Sequence, residues 1–343
     1  MKERVVWVDL LRIAAMLSVV MLHVLSKGIG ALEAATLEWE IYNAGRCLVK
    51  WGVPVFVMIS GIFLLQKKET TGLEMKRRIG HIAGVLVFWL CFYAGLHLIN
   101  QWIHGNEIDK KTLQSAAEIL VFGATHLWYL YMLLGLYLVL PILRKLTEKR
   151  MLEYFLAIFV VMNIAIPVIQ NIEWQFAEEL MRFLNMFQIK TFTGFPGYLL
   201  LGYYLYSYDI SKYLKKLIYM VGILAFPLSI YLTHIHQGNY FFTDGNFSVV
   251  NFSTSVFFFL LFKEKISKIN WNKRQIQYTN KLSSISLGIY LIHVAVLGYV
   301  NDAVKVLNIG ACGKITLSFV ITLGISIVLC VLLRKIPFVK RFV

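Results

Sequence analysis

Long apolar runs, each near the length of a bilayer-spanning helix, dominate this sequence, and short charged or turn-rich segments separate them. A helix rises about 1.5 Å per residue, so about 20 apolar residues cross a hydrocarbon core of about 30 Å. Read against that length, the runs predict spans at 5–25, 44–66, 79–103, 126–143, 152–172, 193–208, 216–235, 248–263, 283–303 and 311–333. The expected fold is all-α, a polytopic membrane protein of about ten transmembrane helices around a polar cavity. No internal repeat and no low-complexity linker divides the chain, so residues 1–343 read as a single integral-membrane domain. The longest connection on the side of the termini is 263–282, and the longest on the other side are 104–125 and 173–192. Segment 172–184 has the pattern of a short amphipathic helix on the membrane surface.

Composition strengthens this picture. The chain is 58% hydrophobic and 15% charged, where a soluble domain carries about 25% charged residues. So much apolar surface cannot be hidden in one aqueous core, which makes the lipid bilayer the natural solvent and leaves no room for a separate soluble enzyme domain. A formal charge of +15 raises a nucleic-acid partner, but Lys and Arg sit in short segments between apolar runs. No basic stripe, zinc-finger or helix-turn-helix pattern is present, and nucleic-acid binding is excluded on that ground.

An even number of spans puts both termini on one side, and 24 of the 34 Lys and Arg residues fall in segments on that side. Both termini therefore read as cytoplasmic, and the protein as multi-pass in the cell membrane. The first run carries Asp9, Arg12 and His23 and lacks a small-residue cleavage pattern, so it reads as a retained helix and not a signal peptide. Cys47, Cys91, Cys312 and Cys330 form no CxxC pair and read as small core residues, with no disulfide framework and no metal site.

Ionisable residues inside a span are costly unless they face protein or water. In the first helix Asp9 and Arg12 are three residues apart, and His23 follows Arg12 by eleven. Eleven steps of about 100° return to within about 20° of the starting face, with a rise of about 16 Å. Arg12 and His23 thus share a face that must line a polar cavity or a packed polar cluster. On spacing alone two readings stand. Asp9–Arg12 is a helix-end ion pair with Arg12 snorkelling to water and His23 hydrated at the interface, or the face carries chemistry.

The segment Asp9-Leu10-Leu11-Arg12, followed by ten residues and then His23, resembles the first-helix signature of acyltransferase family three, the integral-membrane sugar O-acyltransferases. Residues 51–65, WGVPVFVMISGIFLL, are similar to that family's second-span segment, and Lys76-Arg77-Arg78 to its basic pair at the start of the third helix. HLWYLYMLLGLYLVLPIL at 126–143, GYLLLGYYL at 197–205 and SLGIYLIHVAVL at 286–297 continue the resemblance, in order, across nearly the whole chain. His81 departs from the pattern, standing where the family often carries a further Arg or Lys.

The resemblance implies transfer of an acyl group, commonly acetyl, from cytoplasmic acyl-CoA to a hydroxyl of a cell-envelope or exported glycan. Under it His23 is the base or the acyl carrier, with Arg12 its donor-side companion. Arg12, Arg77 and Arg78 would hold the CoA phosphates through planar guanidinium contacts, with Ser60 on the thioester side. Asp9, His126, Trp128 and His293 are candidates for contact with substrate. Acetyl-CoA or another acyl-CoA is the donor substrate, and no metal is required. With no fused soluble domain after Val343, the protein is expected to act alone, as a homo-oligomer or with an envelope-assembly partner.

Plainer roles stand beside these. Ser60-Gly61 suits a close helix approach better than a catalytic serine, and Pro54 a kink or helix start. His126, Trp128 and Tyr129 read first as an aromatic belt at the outer interface, with sugar stacking as the alternative. His293 suits packing and cavity lining equally, and His234 and His236 read as solvated. A transporter or flippase using the same cavity is the chief rival function, and a non-catalytic membrane partner of a glycan enzyme is the third.

Overall fold

A computed structural model describes residues 5–66, 71–170, 177–186, 190–238 and 242–343, and every regular element among them is helical. Along the chain these are α1 (Val6–Ile29), α2 (Leu37–Val49), α3 (Gly52–Leu64), α4 (Gly72–Ile103), α5 (Lys110–Phe122), α6 (Trp128–Lys145), α7 (Lys149–Val160) and α8 (Ile166–Gln170). They continue with α9 (Ala177–Met186), α10 (Lys190–Ser207), α11 (Lys212–Ile235), α12 (Val249–Glu264), α13 (Lys273–Ser284), α14 (Ser286–Lys305) and α15 (Ala311–Leu333). A 3-10 turn, Thr125–Leu127, leads into α6, and a π turn, Val161–Ala165, joins α7 to α8.

Among the described residues, eight helical stretches are long and apolar enough to cross a membrane: α1, α2 with α3, α4, α5 with α6, α7 with α8, α11, α14 and α15. The protein is therefore a multi-pass membrane protein. The two other expected spans, 193–208 and 248–263, are present as α10 and α12 but fall outside this group. α12 has 16 residues and is about 24 Å long, short of a full bilayer crossing. Both lie inside the bundle, α10 against α3 and α12 against α11, α1 and α3.

Some connections hold more structure than the hydrophobic pattern implies. The expected loop 104–125 contains α5, and 263–282 contains most of α13. Each polar helix starts on a side chain that satisfies orphan N–H groups of the first turn. Asp109 accepts from the Thr112 N–H at 2.8 Å. Asn272 and Gln275 form a reciprocal capping box, both bonds at 2.9 Å. α9 covers 177–184 of the expected surface helix, and residues 172–176 lie outside the described residues.

The arrangement places α1 at the centre, against α2, α3, α12, α13, α14 and α15. Its apolar window is 61% buried, whereas those of α11 and α15 are 22% buried and face outward. Helices in lipid gain little from hydrophobic contrast, so close packing of small residues carries more of their association. The tightest crossing is α3 on α10. A Cβ added at Gly61 would run into the Leu199 carbonyl, and one at Gly202 into the Met58 carbonyl. The Ser60-Gly61 step is thus a backbone-to-backbone approach that only glycine allows. Cys91 on α4 and Cys312 on α15, read from sequence as core, are exposed, while Cys47 and Cys330 are buried and all four cysteines are free.

Candidate functional site

Because most of α1 is surrounded by protein, Asp9, Arg12 and His23 face other helices. Asp9 is 7% exposed. It accepts a hydrogen bond from the Ser283 hydroxyl at 2.6 Å and lies 3.5 Å from the Arg12 guanidinium. Arg12 also donates to Ser283 at 3.4 Å and lies over the Phe63 ring, 5.5 Å from its centroid. Asp9 and the last turn of α13 thus orient Arg12, and its side chain remains 28% exposed.

Arg12 lines a cavity of about 340 Å³ with Ser60, His81, Tyr129, Tyr137 and Tyr290. Its mouth carries the exposed His81 and Ser284, and its floor the buried Tyr129 and Tyr290. The Ser60 hydroxyl donates to the Phe56 carbonyl at 2.9 Å and meets the Tyr129 hydroxyl. Its proton is thereby committed to the backbone, and among the described residues no base is hydrogen-bonded to it. Arg78 donates to Glu74 at 3.0 Å and reaches Tyr137, which brings it to the cavity wall. Arg77 is exposed on the outer face of α4.

Beyond the floor lies a cluster of three imidazoles from three separate helical segments. The His23 ring is 5.0 Å from His293 and 6.4 Å from His126, and His126 is 5.7 Å from His293, centroid to centroid. His126 is 1% exposed and His293 0%, so His126 belongs to the core and not to an aromatic belt at the water interface.

The backbone sets the tautomers, because a carbonyl only accepts. His126 donates its Nε2–H to the Leu291 carbonyl at 3.2 Å, and His293 its Nδ1–H to the Tyr290 carbonyl at 2.6 Å. The remaining nitrogens, Nδ1 of His126 and Nε2 of His293, are buried without a hydrogen-bond partner among the described residues. They are bare acceptors beside His23, whose ring lies against both of the other imidazoles. Such a group can take a proton from a hydroxyl brought against it and hold it within the cluster.

Tyrosines lock the cluster in place. The Tyr290 hydroxyl donates to the His126 carbonyl, and the Tyr93 hydroxyl to the Leu291 carbonyl at 2.8 Å. The structure therefore gathers His23, His126 and His293 at one point and Arg12, Asp9 and Ser60 at or beside the neighbouring cavity. Trp128 stands apart, 36% exposed and 5.6 Å from the Phe195 ring. Tyr93, Tyr290, Tyr137 and Ser283 were not singled out from sequence. Tyr290 had a signal in its place three residues before His293, one helical turn away, where a carbonyl and a ring can both meet the histidine. Among the described residues no group of His, Cys, Asp or Glu is arranged to hold a metal ion.

Compared with known proteins, the sequence matches the model of one family, described as an acyltransferase domain, over residues 5–335. No curated protein and no solved structure matches it.

Proposed function

The chain belongs to the integral-membrane acyltransferase family that this match identifies, and from that premise we propose that it moves an acyl group, most simply acetyl, from acyl-CoA to a hydroxyl of a cell-envelope or exported glycan. The donor sits in the Arg12 cavity, at the end of the bundle that bears the termini and faces the cytoplasm. The observation that carries the reading is the α1 face itself. Arg12 opens into a cavity fit for an anionic, pantetheine-bearing donor, and His23 stands on the same face among two further imidazoles.

The acceptor hydroxyl oxygen bonds to the thioester carbonyl carbon, and its proton passes to a His23 ring nitrogen. The carbon–sulfur bond then breaks, and the CoA sulfur leaves with the electron pair and takes the proton. In the acyl-carrier version His23 bonds to the acyl carbon first, CoA departs, and the hydroxyl displaces the imidazole. Arg12, with Arg78 at the cavity wall and Arg77 on the outer face of the same helix, would hold the donor phosphates. A base positioned in this way contributes about 10²–10⁴-fold. The closed ring packing beyond the cavity favours group transfer over passage of a whole substrate, which a transporter would require.

The test is acyl transfer from radiolabelled acetyl-CoA by purified protein in nanodiscs, with His23→Ala and Arg12→Ala alongside. Loss of about 10²-fold or more in kcat with His23→Ala, in a protein that still folds, is the expected result. Arg12→Ala should chiefly raise the apparent KM for acetyl-CoA. Normal turnover by His23→Ala would overturn the assigned chemistry.

A further inference from the structure

At the end of the bundle that bears the termini, α13, the start of α14 and the last turns of α15 enclose a groove of about 480 Å³. Ile285 is buried at its floor, whereas Tyr278, Lys281 and Val331 are exposed at its edges. α15, which forms one wall, is mostly exposed along its apolar length. The groove therefore opens toward lipid and not into the interior of the bundle.

Its chemistry changes along the membrane normal. Ile327, Val331 and Arg334 follow at spacings of four and three, so they form one stripe along α15. Seven residues of helix rise about 10 Å, which sets the guanidinium at the helix end and the two apolar side chains deeper. On α13 the same spacing aligns Arg274, Tyr278 and Lys281. The Tyr278 ring centroid lies 5.7 Å from the Arg274 guanidinium and 5.9 Å from the Lys281 ammonium. Tyrosine between cations is the pattern of a helix lying at the headgroup level. The groove is thus apolar at hydrocarbon depth and cationic at headgroup depth.

The two rim charges meet no carboxylate. Among the described residues no Asp or Glu lines the groove, and neither Lys281 nor Arg334 forms an ion pair. Arg334 is held by neutral oxygens instead: it donates to the Ser284 hydroxyl at 3.1 Å, to the Val343 carbonyl at 3.3 Å and to the Ser284 carbonyl. Other cations at this end of the bundle are neutralised, Arg78 and Arg144 by Glu74 and Lys215 by Glu264. Arg334 is fixed in place with its charge uncompensated, which suits a phosphate arriving from outside the chain.

We propose that this groove binds an anionic phospholipid, with its phosphate between Lys281 and Arg334 and an acyl chain along Ile327 and Val331. A free phosphate would leave the apolar half of the groove uncovered. A zwitterionic lipid brings a cation of its own, which Lys281 and Arg334 repel. The site also borders the donor cavity, because Ser284 lines both. Ser283 beside it holds Asp9 and Arg12, so the bound lipid braces the α13–α14 junction that orients Arg12.

The experiment titrates the full chain, purified in detergent, with dioleoyl phosphatidylglycerol, dioleoyl phosphatidylcholine, or sodium phosphate against sodium chloride of equal ionic strength. Native mass spectrometry counts the lipid retained, and thermal unfolding reports stabilisation. Lys281→Gln removes an exposed rim charge, and Val331→Trp fills the apolar wall from an exposed position. Lys273→Gln removes the same charge from an exposed site on α13 outside the groove.

Each basic residue at a membrane surface strengthens binding of an anionic lipid about fivefold. Wild-type protein should therefore prefer phosphatidylglycerol to phosphatidylcholine by about 20-fold. Lys281→Gln should lose about fivefold of that affinity, Val331→Trp about tenfold, and Lys273→Gln nothing measurable. Phosphatidylglycerol should raise the unfolding midpoint, and phosphatidylcholine and phosphate should not.

Absence of a preference for phosphatidylglycerol overturns the proposal. Equal losses in Lys281→Gln and Lys273→Gln also overturn it, since they would mark general attraction to a basic surface. Unchanged affinity in Val331→Trp, or equal stabilisation by inorganic phosphate, removes the acyl chain from the groove and the lipid with it.

Discussion

Lys50 and Asp244 form an ion pair whose two halves should respond very differently to mutation. Lys50, at the α2–α3 junction, is 7% exposed. Its ammonium donates to Asp244 at 2.9 Å and to the Thr243 carbonyl at 3.1 Å. The Asp244 side chain is 38% exposed, so it can rehydrate if Lys50 is lost, whereas Lys50 cannot if Asp244 is lost. Breaking a fully buried pair costs about 3–5 kcal/mol. The partial exposure of Asp244 screens the charge and lowers the expected cost of Asp244→Asn to about 2–3 kcal/mol. Lys50→Met keeps the volume of the stem and leaves one carbonyl without its donor, a cost of about 1 kcal/mol.

In a chain of this size about 2 °C of Tm accompanies each kcal/mol. Asp244→Asn should therefore lower the midpoint by about 5 °C and Lys50→Met by about 2 °C. The double variant should sit near Lys50→Met, because it leaves no charge stranded. Thermal unfolding of detergent-solubilised protein, followed by fluorescence-detected size exclusion, measures all three. Equal losses for the two single variants, or a greater loss for Lys50→Met, would refute the reasoning.

Two further outcomes follow from the packing. Gly61→Ala and Gly202→Ala should each destabilise by about 1–3 kcal/mol through overpacking at the α3–α10 crossing, measurable in the same unfolding assay. Tyr290→Phe removes the hydroxyl that holds the His126 carbonyl. It should slow acyl transfer about tenfold by misplacing the cluster, with the KM for acyl-CoA unchanged in steady-state assays.

The helical class and the Arg12–His23 face were legible in the sequence because a 3.6-residue period and bilayer length are local properties. The union of His23 with His126 and His293 was not, since rings separated by more than a hundred residues meet only through packing. That distance also explains why His126 read as an interfacial belt residue: nothing local distinguishes a histidine capped by α4 and α14 from one facing headgroups. α2 begins earlier than its apolar run because Glu38 and Glu40 interrupt the hydrophobic signal without interrupting the helix. α13 was taken into a loop on its polarity, although Asn272 and Gln275 carried a capping-box spacing. α10 and α12 were placed correctly by hydrophobicity, but their position inside the bundle depends on neighbours that no single run reveals.

The packing of His23, His126 and His293 with Tyr93 and Tyr290 also bears on how the membrane stays energised. A carrier that moves its cargo across the bilayer must open to one side and then the other, and each error in that alternation leaks ions. On the proposed acyl-transfer reading neither the donor nor the acceptor would have to cross. Only a small uncharged fragment would change hands, beside packed aromatic and imidazole rings. The ion gradients can then be left intact even at high copy number, because insulation comes from static packing and not from the timing of gates.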